Sequence, residues 1–390
     1  MKKKFLLKVI AISLILMNLL SIATPALTEL VPGKHSNGIK TENKEINYVS
    51  LGDSMTNGFV LPGYENSGYL EVAPDAYPAR FSAWLSGYEG EISKGQTKYE
   101  GKNGTVNLTQ LATSGMRAED LLYILNVGDP DLQEPDQYAY DRLINNGSWY
   151  GYYPGVFQNA IAEADIISMA VGNANMGVYM TGMIEQTLGK EDHNMDASAV
   201  TMENAVKLIG ADEELSLLAM DVYNKAIDEL GAYLPSEIVD KVAGIMTYVV
   251  VKYVISYSKA LDRIAELNPD AEIIIIGLFN TLAKSQMDMI YEGNTYNVSF
   301  EKILRILFEP INAYLMALAS TKKESEKYKD ITFYYSEMYE MQTLSSIFSS
   351  DYKKEDAEWF LKRFVPDITE SFFPLFEKKL GLVDISYKEV

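Results

Sequence analysis

The stretch Tyr48-Val49-Ser50-Leu51-Gly52-Asp53-Ser54-Met55-Thr56-Asn57-Gly58 decides how the rest of the chain is read. Tyr48, Val49 and Leu51 suit a buried, pleated strand, and Gly52 permits a sharp turn directly after it. Gly52-Asp53-Ser54 then sets a serine hydroxyl at the carboxyl end of that strand, where open α/β sheets place their ligands. Alone the three residues say little, because an ordinary turn uses the same ones. Their weight comes from two further strand ends downstream, each closed by a glycine turn.

The first of these follows Val106-Asn107-Leu108-Thr109-Gln110-Leu111-Ala112, a second strand that runs into Thr113-Ser114-Gly115-Met116-Arg117. A helix opens there with Glu119 and Asp120, acidic residues suited to the positive end of its dipole. Backbone N–H groups at such a turn can hold an anion. The second follows Asp165-Ile166-Ile167-Ser168-Met169-Ala170-Val171 and reads Gly172-Asn173-Ala174-Asn175-Met176-Gly177. A fourth strand, Glu272-Ile273-Ile274-Ile275-Ile276-Gly277, is apolar on both faces, as a central parallel strand requires. Ile331-Thr332-Phe333-Tyr334-Tyr335 reads as a fifth.

Helical patterns alternate with these strands. Residues 77–85 form an amphipathic helix with Pro78 in its first turn, and short helical stretches follow at 118–122 and 157–164. A long helical region covers about 178–265 and reads as an insertion after the third strand, placed to act as a lid. Within it, residues 245–261 are strongly apolar but broken by Lys252, which favours a buried helix over a membrane span. Further helices are expected at 300–318, containing Pro310, and at 353–376. Strands alternating with helices predict a three-layer α/β/α sandwich around a parallel central sheet. Residues 126–155, rich in Asp, Asn, Gly, Pro and Tyr, read as a long irregular excursion, and residues 61–69 as a loop beside the serine that could shape a pocket.

The chain has 390 residues, 47% of them hydrophobic, enough to bury a sizeable core. Its net charge of −20 argues against a nucleic-acid partner, which would call for a basic face. With no cysteine, disulfides, thiol catalysis and thiolate-held metals are excluded. No metal or organic cofactor is expected. Lys2, Lys3 and Lys4 precede a largely apolar run to Ile22, and Thr24-Pro25-Ala26 supplies small residues, so residues 1–26 read as a signal peptide cleaved after about Ala26, or after Ala23; the alternative is an uncleaved membrane anchor, which Lys8 and Asn18 disfavour by shortening the apolar run. Residues 27–45 read as a polar tether and 46–390 as the folded domain. The expected location is secreted or cell-surface, in a bacterium, with no stable membrane span once the signal is removed.

Taken in order, the three glycine turns resemble the blocks of the SGNH (GDSL) hydrolases over about residues 46–340. The resemblance implies a flavodoxin-like fold and cleavage of carboxylic esters through an active-site serine. By match, Ser54 is the nucleophile, and the oxyanion donors are the Ser54 N–H, the Gly115 N–H and a side-chain amide from the third block. The family pattern there is Gly-x-Asn-Asp, whereas this chain reads Gly172-Asn173-Ala174-Asn175. Ala174 takes the amide's position, so either Asn173, which follows the matched glycine, or Asn175 supplies it. Three donors aimed at one developing charge are worth several powers of ten in rate. The substrates implied are small acyl esters, lipids or acetylated surface glycans.

The family's late Asp-x-x-His block has no counterpart. The chain's two histidines are His35, in the tether, and His193, at the edge of the helical region. Asp367 and Glu370 have the block's spacing with Glu in place of His, so Glu370 and His193 are the candidates for a base and Asp367 for the orienting acid. A carboxylate serves a serine poorly unless its pKa is raised. Three explanations stay open: a histidine-bearing segment beyond residue 390, an unusual base, or a relative that binds an acylated or glycan ligand without turnover.

Overall fold

The computed structural model describes residues 45–59, 61, 63–64, 71–126, 155–180, 199–278, 286–291, 294–328 and 330–334. The signal peptide, residues 27–44 of the tether, His35, His193, Asp367, Glu370 and residues 127–154 of the excursion lie outside the described residues, whereas Glu45, expected to end the tether, already belongs to the first strand.

In chain order the elements are β1 (Glu45–Gly52), α1 (Tyr77–Ser86), β2 (Lys98–Gly101), β3 (Gly104–Gln110), α2 (Ala118–Leu125), α3 (Val156–Ala162), β4 (Ile166–Ala170), α4 (Met202–Ile209), α5 (Glu213–Leu230), α6 (Ser236–Leu267), β5 (Glu272–Ile276), β6 (Gln286–Tyr291), β7 (Asn294–Ser299), α7 (Phe300–Lys323) and β8 (Asp330–Tyr334). A π-helical turn, Asn175–Tyr179, follows β4. The main sheet has the order β2-β3-β1-β4-β5-β8. Strands β3, β1, β4, β5 and β8 are parallel, and β2 joins the edge antiparallel to β3. The molecule is thus an α/β sandwich with the five-strand parallel order 2-1-3-4-5 of flavodoxin-like folds.

Handedness fixes which face each helix covers. The step from β1 to β3 runs one way along the sheet, while those from β3 to β4, β4 to β5 and β5 to β8 run the other way. Right-handed crossovers therefore put α1 on one face and the remaining helices on the opposite face. The core divides accordingly. Ile46 and Tyr48 of β1 pack with Ala79, Ala83, Val106 and Leu108 on the α1 side. Val49 and Leu51 point the other way, toward Leu121, Ile167, Met169, Val250 and Val254. The running direction reverses between β1 and β4, and such a switch point leaves a crevice at the strands' carboxyl ends. Ser54 and Gly172 both follow strands that flank it.

The apolar run at 245–261 is the middle of α6, a 32-residue helix that packs against α2, α4 and α5 and carries the crossover from β4 to β5. Val249, Val250, Val251, Tyr253 and Val254 are all fully buried, so this part of the helical region is core. Among the described residues no helix is long and apolar enough to cross a membrane. Pro310 sits inside α7 without ending it. Neither β2 nor the antiparallel β6–β7 pair was expected from the sequence.

Candidate active site

Ser54 begins the turn that leaves β1, and it is half-buried where its neighbours are sealed. Its carbonyl accepts from the Phe59 N–H at 2.9 Å, and Asp53 and Met55 accept from Thr56 and Gly58 at 3.1 Å, so the segment coils tightly behind the hydroxyl. Among the described residues neither the Ser54 N–H nor its hydroxyl has a hydrogen-bond partner.

Asp53 ties this turn to the one after β4. Its side chain is fully buried, with Oδ1 accepting from the Met55 N–H at 3.0 Å and Oδ2 from the Gly172 and Ala174 N–H groups at 3.2 Å each. Burial pushes its carboxyl up to about 6, against the pull of these N–H groups and that of Asn173. Thr56 adds a second tie, donating its hydroxyl to the Ala170 carbonyl at 3.3 Å.

A second buried chain ties the Ser54 turn to the end of β3. The Ser50 hydroxyl donates to Gln110 Oε1, Gln110 Nε2 donates to Asn57 Oδ1, and Asn57 Nδ2 donates to the Ala112 carbonyl at 3.2 Å. The Thr113 N–H reaches the Gly52 carbonyl at 3.0 Å, which continues the sheet bonding into the second glycine turn. Gly115 stands in that turn at φ 84°, a left-handed backbone that a side chain would strain.

The third turn is pinned from beneath by α6. Tyr253 donates to the Val171 carbonyl at 3.0 Å and Tyr257 to that of Met169 at 3.2 Å. Gly172 has φ 137°, and a Cβ there would stand 2.5 Å from the Tyr253 ring. Glycine is therefore required at this position for both backbone and space.

The two asparagines of this turn differ in environment. Asn173 is half-buried. Asn175 is 1% exposed, and both ends of its amide are engaged: Oδ1 accepts from the Ala118 N–H at 3.0 Å and Nδ2 donates to Glu119 Oε2 at 2.7 Å. Beside it, Arg117 is 1% exposed and makes a forked contact with Asp120, Nε to Oδ2 at 3.0 Å and Nη2 to Oδ1 at 2.8 Å. Its guanidinium lies 4.6 Å from the centre of the Tyr179 ring. Burial raises the Asp120 carboxyl, opposed by the Arg117 charge.

Of the residues singled out in the sequence, the structure therefore describes Ser54, Gly115, Asn173 and Asn175. Of the buried polar set, Ser50, Asn57, Gln110 and Arg117 were not singled out, and Asp120 was read only as an acidic residue suited to the helix dipole. The set's signal was present in part: Ser50 is a polar residue between Val49 and Leu51 of a buried strand, and the Arg117-Ala118-Glu119-Asp120 spacing allows a side chain to cap a helix start. Among the described residues no group of three or more His, Asp or Glu side chains could hold a metal ion.

No family model matches the chain, and no curated protein matches it. Among solved structures it is similar to an extracellular lipase from Streptomyces rimosus, at 14% identity over 74% of this chain and 80% of that one, TM-score 0.35. It is also similar to phospholipase A1 from Streptomyces albidoflavus NA297, at 14% identity over 74% and 78%, TM-score 0.32. The lipase Lip_vut3 from a goat rumen metagenome gives 14% over 78% and 84%, TM-score 0.32. At such identities the chemistry of the site must be argued from its own residues.

Proposed function

We propose that this chain is a secreted serine hydrolase of the SGNH type that cleaves carboxylic esters through Ser54. One observation carries the reading: a half-buried serine whose hydroxyl has no hydrogen-bond partner among the described residues begins the turn at the switch point of a 2-1-3-4-5 sheet, tied by Asp53 to the Gly172 turn. In the proposed reaction Ser54 Oγ bonds to the ester carbonyl carbon as the carbonyl π pair moves onto oxygen. The Ser54 N–H, the Gly115 N–H and the Asn173 amide donate to that oxyanion. Asn173 is preferred over Asn175 because the Asn175 amide is already engaged at both ends. Collapse of the intermediate expels the alcohol, and water releases the acyl group. The serine proton passes to a base outside the described residues, with Glu370, oriented by Asp367, and His193 as candidates.

The substrates proposed are small acyl esters, lipids or acetylated glycans met outside the cell, after removal of residues 1–26. A second reading, a protein of the same fold that binds an acylated ligand without turnover, is favoured by Ala174, which brings a methyl where the family's amide belongs. A fluorophosphonate probe separates the two. Covalent labelling of the wild-type chain that is lost in Ser54→Ala supports the hydrolase. A folded wild-type chain that stays unlabelled, or a Ser54→Ala variant that labels equally, overturns it. Glu370→Gln and His193→Ala in the labelled background then identify the base, as the variant whose labelling rate falls by orders of magnitude.

A further inference from the structure

We propose that Asn175 is a positioning residue that braces the second glycine turn against the third and so sets the spacing of the oxyanion donors. The proposal rests on the esterase reading above and deepens it. The first N–H groups of any helix lack partners within the helix, and a capping side chain normally comes from the residue just before it. In α2 that residue is Arg117, whose side chain does not cap. The Arg117 N–H is taken by Asp120 Oδ2 at 2.9 Å, and the Ala118 N–H is taken from across the site by Asn175 Oδ1. The cap of α2 thus belongs to the turn after β4, 57 residues away in sequence.

The other end of the same amide is fixed with equal care. Asn175 Nδ2 donates to Glu119 Oε2. Glu119 Oε1 is buried with no hydrogen-bond partner among the described residues, and its charge is faced by Arg117 Nη1 at 3.5 Å and Lys252 Nζ at 3.9 Å. A side-chain amide accepts through its oxygen and donates through its nitrogen, so Asn175 serves the Ala118 N–H and the Glu119 carboxylate at once. Asn175 also opens the π-helical turn, its carbonyl accepting from the Met180 N–H. Such turns accommodate one extra residue, and they recur at functional sites. Three residues before Ala118 stands Gly115, and two before Asn175 stands Asn173. One side chain therefore holds the two segments that carry the proposed Gly115 and Asn173 donors.

The test exchanges the donor and acceptor roles. Asn175→Ala leaves the Ala118 N–H uncapped and is expected to lower kcat on a p-nitrophenyl ester about 10- to 100-fold, with KM within about twofold. Asn175→Asp keeps the cap but sets a second carboxylate against Glu119. Two carboxylates at that distance share a proton, so this variant should recover activity as pH falls. In Asn175→Asp with Glu119→Gln, the glutamine amide donates to the new carboxylate, and kcat should return to within about threefold of wild type with the pH dependence gone. Hydrogen exchange at the Ala118 amide should be fast in Asn175→Ala and slow in wild type and the double variant. A labelled wild type with unchanged kcat in Asn175→Ala, or a double variant no better than Asn175→Asp, overturns the positioning role alone. A wild-type chain inert to both probe and ester overturns the esterase reading and this role with it.

Discussion

At the scale of single residues, Asp53 shows how one buried carboxylate ties two turns together. Its carboxylate takes N–H groups from the turns after β1 and β4, and burial still lifts its pKa from 3.8 to about 6. The sign of the consequence follows from linkage. Below about pH 4 Asp53 is protonated folded and unfolded alike. Between about 4 and 6 the unfolded chain gives up this proton first, so stability falls as pH rises, by up to about 3 kcal/mol once the folded group has ionised. Asp53→Asn cannot titrate, and it loses an acceptor because one carboxylate oxygen is replaced by an amide NH2 donor. The variant should be less stable than wild type at pH 4, with the gap in melting temperature narrowing toward pH 7. A gap that stays constant, or widens with pH, would falsify the raised pKa.

At the scale of elements, the first turn of α2 is the most highly charged part of the described core. Arg117 and Asp120 are both nearly inaccessible, and removal of Arg117 leaves the buried Asp120 carboxylate without its guanidinium. Arg117→Met should cost about 3–5 kcal/mol in urea unfolding. Replacing both at once, Arg117→Met with Asp120→Leu, should cost markedly less than Arg117→Met alone; an equal or larger loss would mean that the pair stabilises beyond satisfying its own desolvation. The same element marks where sequence reading stops. The five parallel strands were legible because buried strands carry short apolar runs, and each ended within two residues of expectation. By contrast β2, Lys98-Tyr99-Glu100-Gly101, is a four-residue edge strand of mixed polarity, too short to show a period. The α2 cap was illegible for another reason. Ala118 and Asn175 are unrelated until the sheet places β3 and β4 on either side of β1, so the role of Asn175 exists only in the tertiary structure. Nor does anything in the sequence mark Arg117 as buried, since the Tyr179 ring 4.6 Å from its guanidinium is brought there only by the fold.

At the scale of the whole molecule, charge decides what can approach the crevice. The chain carries −20 overall, and the cations of the α2 cluster, Arg117 and Lys252, are already matched by Asp120 and Glu119. An anionic ligand that approaches this chain therefore meets a net negative body. The field of exposed charges reaches about 30 Å at 0.01 M salt and about 8 Å at 0.15 M. For a chain that turns over esters, KM for an acidic ester should fall several-fold between those two salt concentrations, while KM for a neutral ester of the same acyl length stays within about twofold, since steering acts on charged ligands alone. If both respond equally, the salt effect belongs to the protein's own stability or to apolar binding. If the acidic ester instead binds worse as salt rises, the crevice holds a local positive potential that overrides the net charge, and the search for its source would turn to residues 335–390, where Lys353, Lys354, Lys362 and Arg363 precede the candidates Asp367 and Glu370.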